Sequence, residues 1–151
     1  MRLEDEIKQP VFQSDAQKAY LNVLYTAGWM NQRQNAAFKS YGLTGPQFNV
    51  LRILRGQHPQ PATVALLIER MLDKTSNASR IVDKLEEKKL VTRTVCPANR
   101  RAVDIRITET GLRLLRQIDD DGLADPARAG LDNLTTAELR QLSALLDKIR
   151  A

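Results

Sequence analysis

The sequence predicts a mainly α-helical protein with one small β-hairpin. Apolar residues recur at every third or fourth position along most of the chain, which is the spacing of amphipathic helices. The spacing changes to every second position only between Val91 and Ile107, which predicts a pair of strands. The 151 residues are enough for one domain with helical extensions, and a hydrophobic content of 42% is too high for a disordered chain.

The first predicted helix is long and spans about Asp15 to Ser40, with Asp15 as its N-cap and Gly42 as its stop. Alanines alternate with bulkier apolar side chains along one face of this helix. The apolar positions are Ala16, Ala19, Tyr20, Val23, Ala27, Met30, Ala37 and Phe38. About 25 residues is long for a small domain, since typical globular helices have roughly 8 to 20.

Three shorter helices follow. The first of them begins at Thr44, which forms a capping box with Gln47, and it ends before a predicted loop at Gly56–Pro61. The next begins after Thr63. The last runs from about Lys74 to Lys88. Its predicted buried face consists of Ala78, Ile81, Val82 and Leu85.

The hairpin comes next and two further helices end the chain. Strands are predicted at Val91–Cys96 and Ala102–Ile107, and the connection Pro97–Arg101 gives the hairpin a cationic tip. Thr108 can cap the helix that follows, and Thr135 with Glu138 forms a capping box for the last one. The apolar positions of these two helices are Leu112, Leu115, Ile118, Leu139, Leu142, Leu145, Leu146 and Ile149.

Three consecutive helices followed by a two-stranded hairpin are the layout of a winged helix-turn-helix, in which the third helix enters the major groove of DNA. Short hydroxyl and amide side chains with nearby cations suit that position, because they reach base edges and phosphates without holding the helix away. The candidate DNA-binding residues are Lys74, Thr75, Ser76, Asn77, Ser79, Arg80, Lys84, Arg100 and Arg101.

The positive charge of the chain is concentrated in this same segment. Between Arg70 and Arg106 there are ten Lys or Arg and five Asp or Glu, whereas the rest of the chain has 13 of each. The whole net charge of +5 therefore lies in one central quarter. A localised positive field favours a polyanionic partner such as double-stranded DNA.

Several segments together resemble the MarR family of bacterial regulators. They are Gly42–Thr44, Asp73–Glu86, Leu90–Val91, Asn99–Val103 and Ile107–Gly111. The resemblance implies a homodimer built from the first and last helices, with two recognition helices in successive major grooves and wings that reach the minor groove. It divides the chain into an N-terminal dimerisation region (1–40), a winged helix-turn-helix domain (41–110) and C-terminal dimerisation helices (111–151).

The resemblance assigns the wing arginine to Arg101, and the sequence departs from the family pattern at two places. Asn99 stands where the family usually has Asp, which removes a charge that orients neighbouring arginines. Lys89 stands where the family usually has Gly before Leu-Val. A left-handed helix cap at Lys89 would cost about 1 kcal/mol relative to Gly.

The terminal helices carry more apolar surface than a lone winged domain covers, which independently favours a dimer. The residues concerned are Tyr20, Val23, Leu24, Leu142, Leu145 and Ile149. A two-fold dimer is expected to bind a pseudo-palindromic operator with half-sites about one helical turn apart. The expected role is that of a repressor released by a small aromatic or anionic effector. Tyr25, Trp29 and Met30 are the candidate effector-binding residues, with ordinary core packing as the alternative.

Other classes of function lack the residues they need. No glycine-rich phosphate loop and no Ser/His/Asp set occurs, so we expect no enzyme and no cofactor. The single His58 and single Cys96 argue against a zinc site, and the lone cysteine favours a reducing compartment. Without a membrane span or signal peptide, a cytoplasmic protein is expected. The alternative function is a winged-helix protein-interaction module without a DNA target, which would bind DNA weakly and without salt dependence.

Overall fold

A computed structural model describes residues 1–96, 99–125 and 129–151, with side chains at all of these positions except 96 and 99–101. Within these residues the chain forms seven α-helices and one antiparallel hairpin. The elements are α1 (Leu3–Glu6), α2 (Asp15–Lys39), α3 (Gly45–Gln57), α4 (Val64–Arg70), α5 (Ala78–Glu87), β1 (Val91–Cys96), β2 (Asn99–Ile107), α6 (Glu109–Asp120) and α7 (Thr136–Ile149). A short 3₁₀ helix at Leu131–Asn133 precedes α7. The predicted fold class, a mainly helical protein with a small hairpin, is confirmed.

Four threonines begin four of the helices, as the sequence predicts. Thr44, Thr63, Thr108 and Thr135 each accept a hydrogen bond from the backbone N–H three residues further on. Thr44 and Thr135 complete capping boxes with Gln47 and Glu138. A cap satisfies a backbone donor that the helix itself leaves without a partner, so its signal lies within four residues of sequence.

The start of α2 and the end of α3 differ from the predictions. Ser14, not Asp15, caps α2, because its side chain accepts from the N–H of Gln17 at 3.1 Å. The Ser14 to Gln17 spacing is itself a capping signal that points to this start. At the other end of the next helix, α3 continues to Gln57, through the first two residues of the predicted loop. The short helix α1 was not predicted.

One hydrophobic core unites α3, α4, α5, α6 and the hairpin. Leu51, Leu85, Ile105 and Leu115, from four different elements, are completely buried. The α2 helix joins this core at its C-terminal end, where the ring of Phe38 stacks on Phe48 with 4.1 Å between centroids. Because α6 supplies Leu115 to the same core, this helix is packed as part of the winged domain; the predicted domain boundaries remain a prediction.

The α5 helix begins at Ala78, four residues later than predicted. Asn77 is its N-cap, and the Asn77 side chain accepts from the N–H of Arg80 at 3.0 Å. Short polar side chains compete with helix formation by bonding to nearby backbone and side-chain groups. For this reason Lys74 to Asn77 form a turn in front of α5. The predicted burial of Ala78, Val82 and Leu85 on α5 is confirmed, whereas the fourth predicted residue, Ile81, is only half-buried.

The hairpin also differs from its prediction at one end. β1 lies where predicted, and its pairing runs from Val91 opposite Ile107 to Val95 opposite Val103. The register then shifts, and β2 begins at Asn99, so Arg100 and Arg101 belong to the strand and not to the connection. Ala62 adds a third short stretch through two backbone hydrogen bonds to Ile105, at 2.9 and 2.8 Å.

The turn between α5 and β1 contains a left-handed residue, at the position where the family pattern has glycine. Lys89 has a φ of 59°. The N–H of Leu90 bonds to the carbonyl of Leu85 at 3.0 Å, and the N–H of Lys89 bonds to that of Glu86 at 2.8 Å. This pair of bonds is the Schellman motif, which normally places glycine at the left-handed position.

Candidate nucleic-acid interface

A shallow depression lies between the start of α3 and the exposed face of α5. Its volume is about 310 Å³. It is lined by Thr44, Pro46, Gln47, Ser76, Asn77, Arg80, Ile81 and Lys84. The fold therefore brings four of the predicted DNA-binding residues to one surface, although two of them precede the helix on which they were expected.

Arg80 is the exposed arginine of this surface. It lies in the first turn of α5 and is exposed. Within the described part of the chain, its guanidinium has neither an ion-pair nor a hydrogen-bond partner. A guanidinium presents five donors in a planar fork, which suits the paired acceptors of a guanine edge or a phosphate.

Asn77 and Ser79 flank Arg80 with short polar side chains, and both are exposed. The oxygen of the Asn77 side chain is used by the helix cap, so its amide N–H₂ group is what remains for an outside partner. The backbone carbonyl of Ser79 accepts from Arg93 at 3.2 Å. Arg93 also pairs with Asp83, and these contacts hold β1 against α5.

Two of the predicted cations have partners within the protein. Lys84 pairs with both carboxylate oxygens of Glu87, at 3.1 and 2.9 Å. Lys74 donates to the carbonyl of Ile68 at 3.1 Å and to that of Glu69, so it covers the C-terminal end of α4. The Lys84 pair is exposed and therefore worth little, so a phosphate can replace the glutamate at small cost.

Asp73 organises the turn in front of α5, and sequence reasoning did not single it out. One carboxylate oxygen accepts from the N–H of Thr75 at 2.9 Å and from the Thr75 hydroxyl at 2.6 Å. The other oxygen accepts from the hydroxyl of Ser76 at 2.8 Å. These bonds, that from the Thr75 hydroxyl first, lower the pKa of Asp73. The Asp-x-Thr-Ser pattern was the available signal, since Asp side chains commonly bond two residues onward in turns.

The predicted wing cations cannot be placed in the same detail. Arg100 and Arg101 lie in β2, and their side chains are outside the described residues. The side chain of Cys96, at the end of β1, is also outside the described residues. The assignment of a wing contact to Arg101 remains a prediction from the family resemblance.

The candidate effector residues are half-buried along α2, and two of them, Tyr25 and Trp29, contact other side chains of the chain. The hydroxyl of Tyr25 donates to Glu6 at 2.6 Å, and this hydrogen bond raises the pKa of Tyr25. The Arg33 guanidinium lies 4.8 Å from the centroid of the Trp29 ring. Met30 lies on the same helix. A separate cavity of about 380 Å³ opens beside the C-terminal part of α2. It is lined by Asn31, Gln34, Asn35, Gly45, Pro46, Phe48, Asn49, Arg52, Leu72 and Asp73.

The apolar residues that the sequence assigned to a dimer interface are exposed in the single chain. Their exposed fractions range from 39% at Leu142 to 70% at Ile149. The others are Tyr20, Val23, Leu24 and Leu145. None of the residues of α7, all of which the structure describes, is buried. These helices thus present an apolar surface that the chain does not cover.

The fold and this surface define a winged helix-turn-helix protein, and comparisons with known proteins give its family. A model of the MarR family matches residues 41–102. The transcriptional regulator MhqR of Bacillus subtilis is 32% identical over 96 residues, which are 64% of this chain and 65% of MhqR. The chain thus spans slightly under two thirds of that relative.

Solved structures extend the likeness to nearly the whole chain. A MarR transcription factor from Planctomyces limnophilus is 31% identical, with 91% of this chain and 98% of that chain covered and a TM-score of 0.69. A MarR family regulator from Streptomyces coelicolor, solved in complex with DNA, is 19% identical, with 92% of each chain covered and a TM-score of 0.78. The chain belongs to the MarR family of transcriptional regulators.

The helices were also compared with the requirements of a membrane span. Among the described residues, no helix combines the length and the apolar character needed to cross a bilayer.

Proposed function

We propose that the protein is a sequence-specific regulator that binds double-stranded DNA through α5 and the turn before it. The observation that carries the proposal is the exposed and uncommitted guanidinium of Arg80, beside the Asn77 amide in an open polar depression. The Streptomyces coelicolor relative supports it, because that protein was solved in complex with DNA. The concentration of net positive charge between Arg70 and Arg106 supports it further.

The proposal includes a homodimer that joins α2 and α7 of two chains. The exposed apolar residues on both helices support this, since large uncovered apolar surfaces mark interfaces. A two-fold dimer carries two copies of α5, so the operator is pseudo-palindromic, with half-sites about 34 Å apart. A dimer that occupies such a site excludes other proteins from it, and we therefore assign the protein a repressing role in the cytoplasm.

Release by a small aromatic or anionic molecule is the remaining part of the proposal. Trp29 is the single tryptophan of the chain, so its fluorescence reports directly on a ligand that binds beside it. A ligand changes DNA affinity only if it binds the free and the DNA-bound conformations unequally. Titration with benzoate should therefore quench Trp29 and weaken operator binding together. Quenching at unchanged DNA affinity would remove the regulatory role from this site.

The DNA-binding proposal is tested with an operator selected from a random pool and with Arg80→Ala. A bidentate guanidinium contact to a base is worth about 1–3 kcal/mol, so the variant should lose about fivefold or more in affinity. The loss should be largest for operators that retain the contacted base. Affinity of the unmodified protein should fall steeply with salt.

Arg150→Ala is the matched control, because it removes the same charge near the C-terminus, far along the chain from α5. Arg150 is exposed and, among the described residues, forms an ion pair with Asp147 of α7. Equal losses for the two variants would reduce the effect to net charge. DNA binding that is weak and insensitive to salt would favour the protein-interaction module instead.

A further inference from the structure

We propose that Asp73 is a positioning residue that sets which bases the turn before α5 selects, by orienting the hydroxyl groups of Thr75 and Ser76. This inference rests on the proposed DNA-binding function. The proposal gives a role to a negatively charged residue beside a surface whose other proposed DNA contacts are positively charged or neutral. The role follows from which partner in each hydrogen bond must be the donor.

The direction of the two hydroxyl bonds is fixed by chemistry. An ionised carboxylate has no proton and can only accept hydrogen bonds. The Thr75 and Ser76 oxygens lie 2.6 and 2.8 Å from the carboxylate oxygens of Asp73. The lowered pKa of Asp73 keeps it ionised near neutral pH. Each hydroxyl must therefore direct its one proton toward Asp73.

The outward side of each hydroxyl is consequently an acceptor. Thr75 is exposed, and Ser76 is half-buried at the edge of the depression that Asn77 and Arg80 also line. Phosphate oxygens, guanine O6 and N7, and thymine O4 are acceptors and give such hydroxyls no hydrogen bond. In the major groove the donors are the amino groups of cytosine N4 and adenine N6.

The turn and α5 thus have complementary preferences. Asp73 makes the two hydroxyls select for amino groups, and its charge disfavours a close phosphate. Arg80 and the Asn77 amide supply donors for the acceptor edges of neighbouring bases. Without Asp73, a hydroxyl is free to donate to any phosphate, and such a contact carries no sequence information.

Asp73→Asn tests the inference with almost no change in shape. The amide oxygen can continue to accept the two bonds from Thr75, while the amide nitrogen, a donor, then faces Ser76. The Ser76 hydroxyl must turn its proton outward and becomes able to donate to DNA. The full-length protein and this variant are each used to select sites from a random DNA pool, and the enriched bases are compared.

We expect the unmodified protein to enrich cytosine or adenine at one position of each half-site. The variant should replace that preference with guanine or thymine, by roughly fivefold, the value of one ordinary hydrogen bond. Its binding to nonspecific duplex DNA should rise, since a negative charge is lost and a donor is gained. Ser76→Ala should abolish the preference at that position without creating a new one, whether or not the Asp73 variant folds.

Two negative results are distinguishable. If the unmodified protein enriches no sequence, the proposed function fails, and this inference fails with it. If it enriches an operator that Asp73→Asn and Ser76→Ala enrich with the same bases, DNA binding stands and Asp73 only shapes the turn. Uniformly weaker binding of both variants, with unchanged base preferences, likewise overturns the inference.

Discussion

The core formed by α3 to α6 and the hairpin differs from the helices α2 and α7 in how its apolar residues are covered. In the core, Leu51, Leu85 and Ile105 are fully buried within the single chain. On α7 no residue is buried, and Leu145 and Ile149 are 52% and 70% exposed. The chain therefore completes the interior of its winged helix-turn-helix part by itself and leaves the exposed apolar residues of α2 and α7 uncovered.

This difference connects stability to function. Two recognition helices fit successive grooves only if a rigid body holds them at a fixed separation. In the proposed dimer, the core of each chain would keep its α5 in shape, and the interface between α2 and α7 of the two chains would set the distance between the two α5 helices. Changes to the core should therefore alter unfolding, whereas changes to the apolar face of α7 should alter assembly and, through it, affinity for a two-part operator.

The largest effect is expected from Leu145→Asp, which places a carboxylate in the apolar face of α7. An unpaired charge buried at an interface costs about 3–5 kcal/mol, so the dimer should dissociate at least a hundredfold more readily. Sedimentation velocity over a range of protein concentrations measures this change. Operator affinity should fall with dimer affinity, since a monomer reads only one half-site.

Ala144→Asp adds the same charge to the same helix, on the side turned away from Leu139, Leu142 and Leu146. This control should remain a dimer. Identical sedimentation of the two variants would show that the exposed face of α7 is not the interface, and the contrast between core and terminal helices would lose its functional meaning.

The second largest effect is expected from Gly111→Ala, within the core. A Cβ at this position would lie 2.5 Å from the carbonyl oxygen of Leu90 and 2.7 Å from Cγ1 of Ile107. Neither group can move without shifting the hairpin, so we expect a loss of about 2–3 kcal/mol in the free energy of unfolding. Urea unfolding monitored by circular dichroism measures it.

Gly56→Ala is the matched control, because a Cβ there meets nothing within 4 Å and Gly56 lies in α3. Alanine in a helix should add about 0.5–1 kcal/mol. A Gly111→Ala protein as stable as this control would mean that α6 does not pack as tightly on the hairpin as the structure indicates.

A smaller effect is expected at Asn77, which caps α5 and also lines the candidate DNA-binding depression. Asn77→Ala removes the cap of α5 and should cost about 1 kcal/mol of stability as well as DNA affinity. Asn77→Asp keeps a capping oxygen, so its stability should be retained while its DNA affinity falls through repulsion of phosphate. Thermal unfolding and operator titration of both variants separate the two roles. Parallel losses in Asn77→Asp would leave Asn77 a purely structural residue.

The sequence predicted the elements whose signals are local. The capping threonines at 44, 63, 108 and 135 each need only the next few residues, and the alternation in β1 needs only its own six. The Ala62 bridge to Ile105 was missed because one residue pair has no pattern, and its partners are 43 positions apart. The start of β2 was missed because its register shifts beside the turn.

The sequence predicted the residue types that line the candidate site but not the partners of those residues. The polar residues before and on α5 were found, yet composition does not show that Lys74 is bound to the carbonyls at the end of α4. The turn at residues 74–77 was predicted as helix because Thr, Ser and Asn fit both a cap and a first turn. Asp73 decides between the two, since its carboxylate holds the hydroxyls outside the helix.

The smallest effect is expected at Lys89, where the family resemblance and the backbone agree. Lys89 adopts a φ of 59° to close the Schellman motif at the end of α5. A side chain in this region is strained by about 1–2 kcal/mol, and glycine returns part of that gain through its more flexible unfolded state. Lys89→Gly should therefore stabilise the monomer core by about 0.5–1 kcal/mol in urea unfolding. Lys89→Ala, which removes the charge but keeps the Cβ, should give no such gain. An equal gain in Lys89→Ala would mean that charge repulsion with Lys88, and not backbone strain, lowers the stability at the turn between α5 and β1.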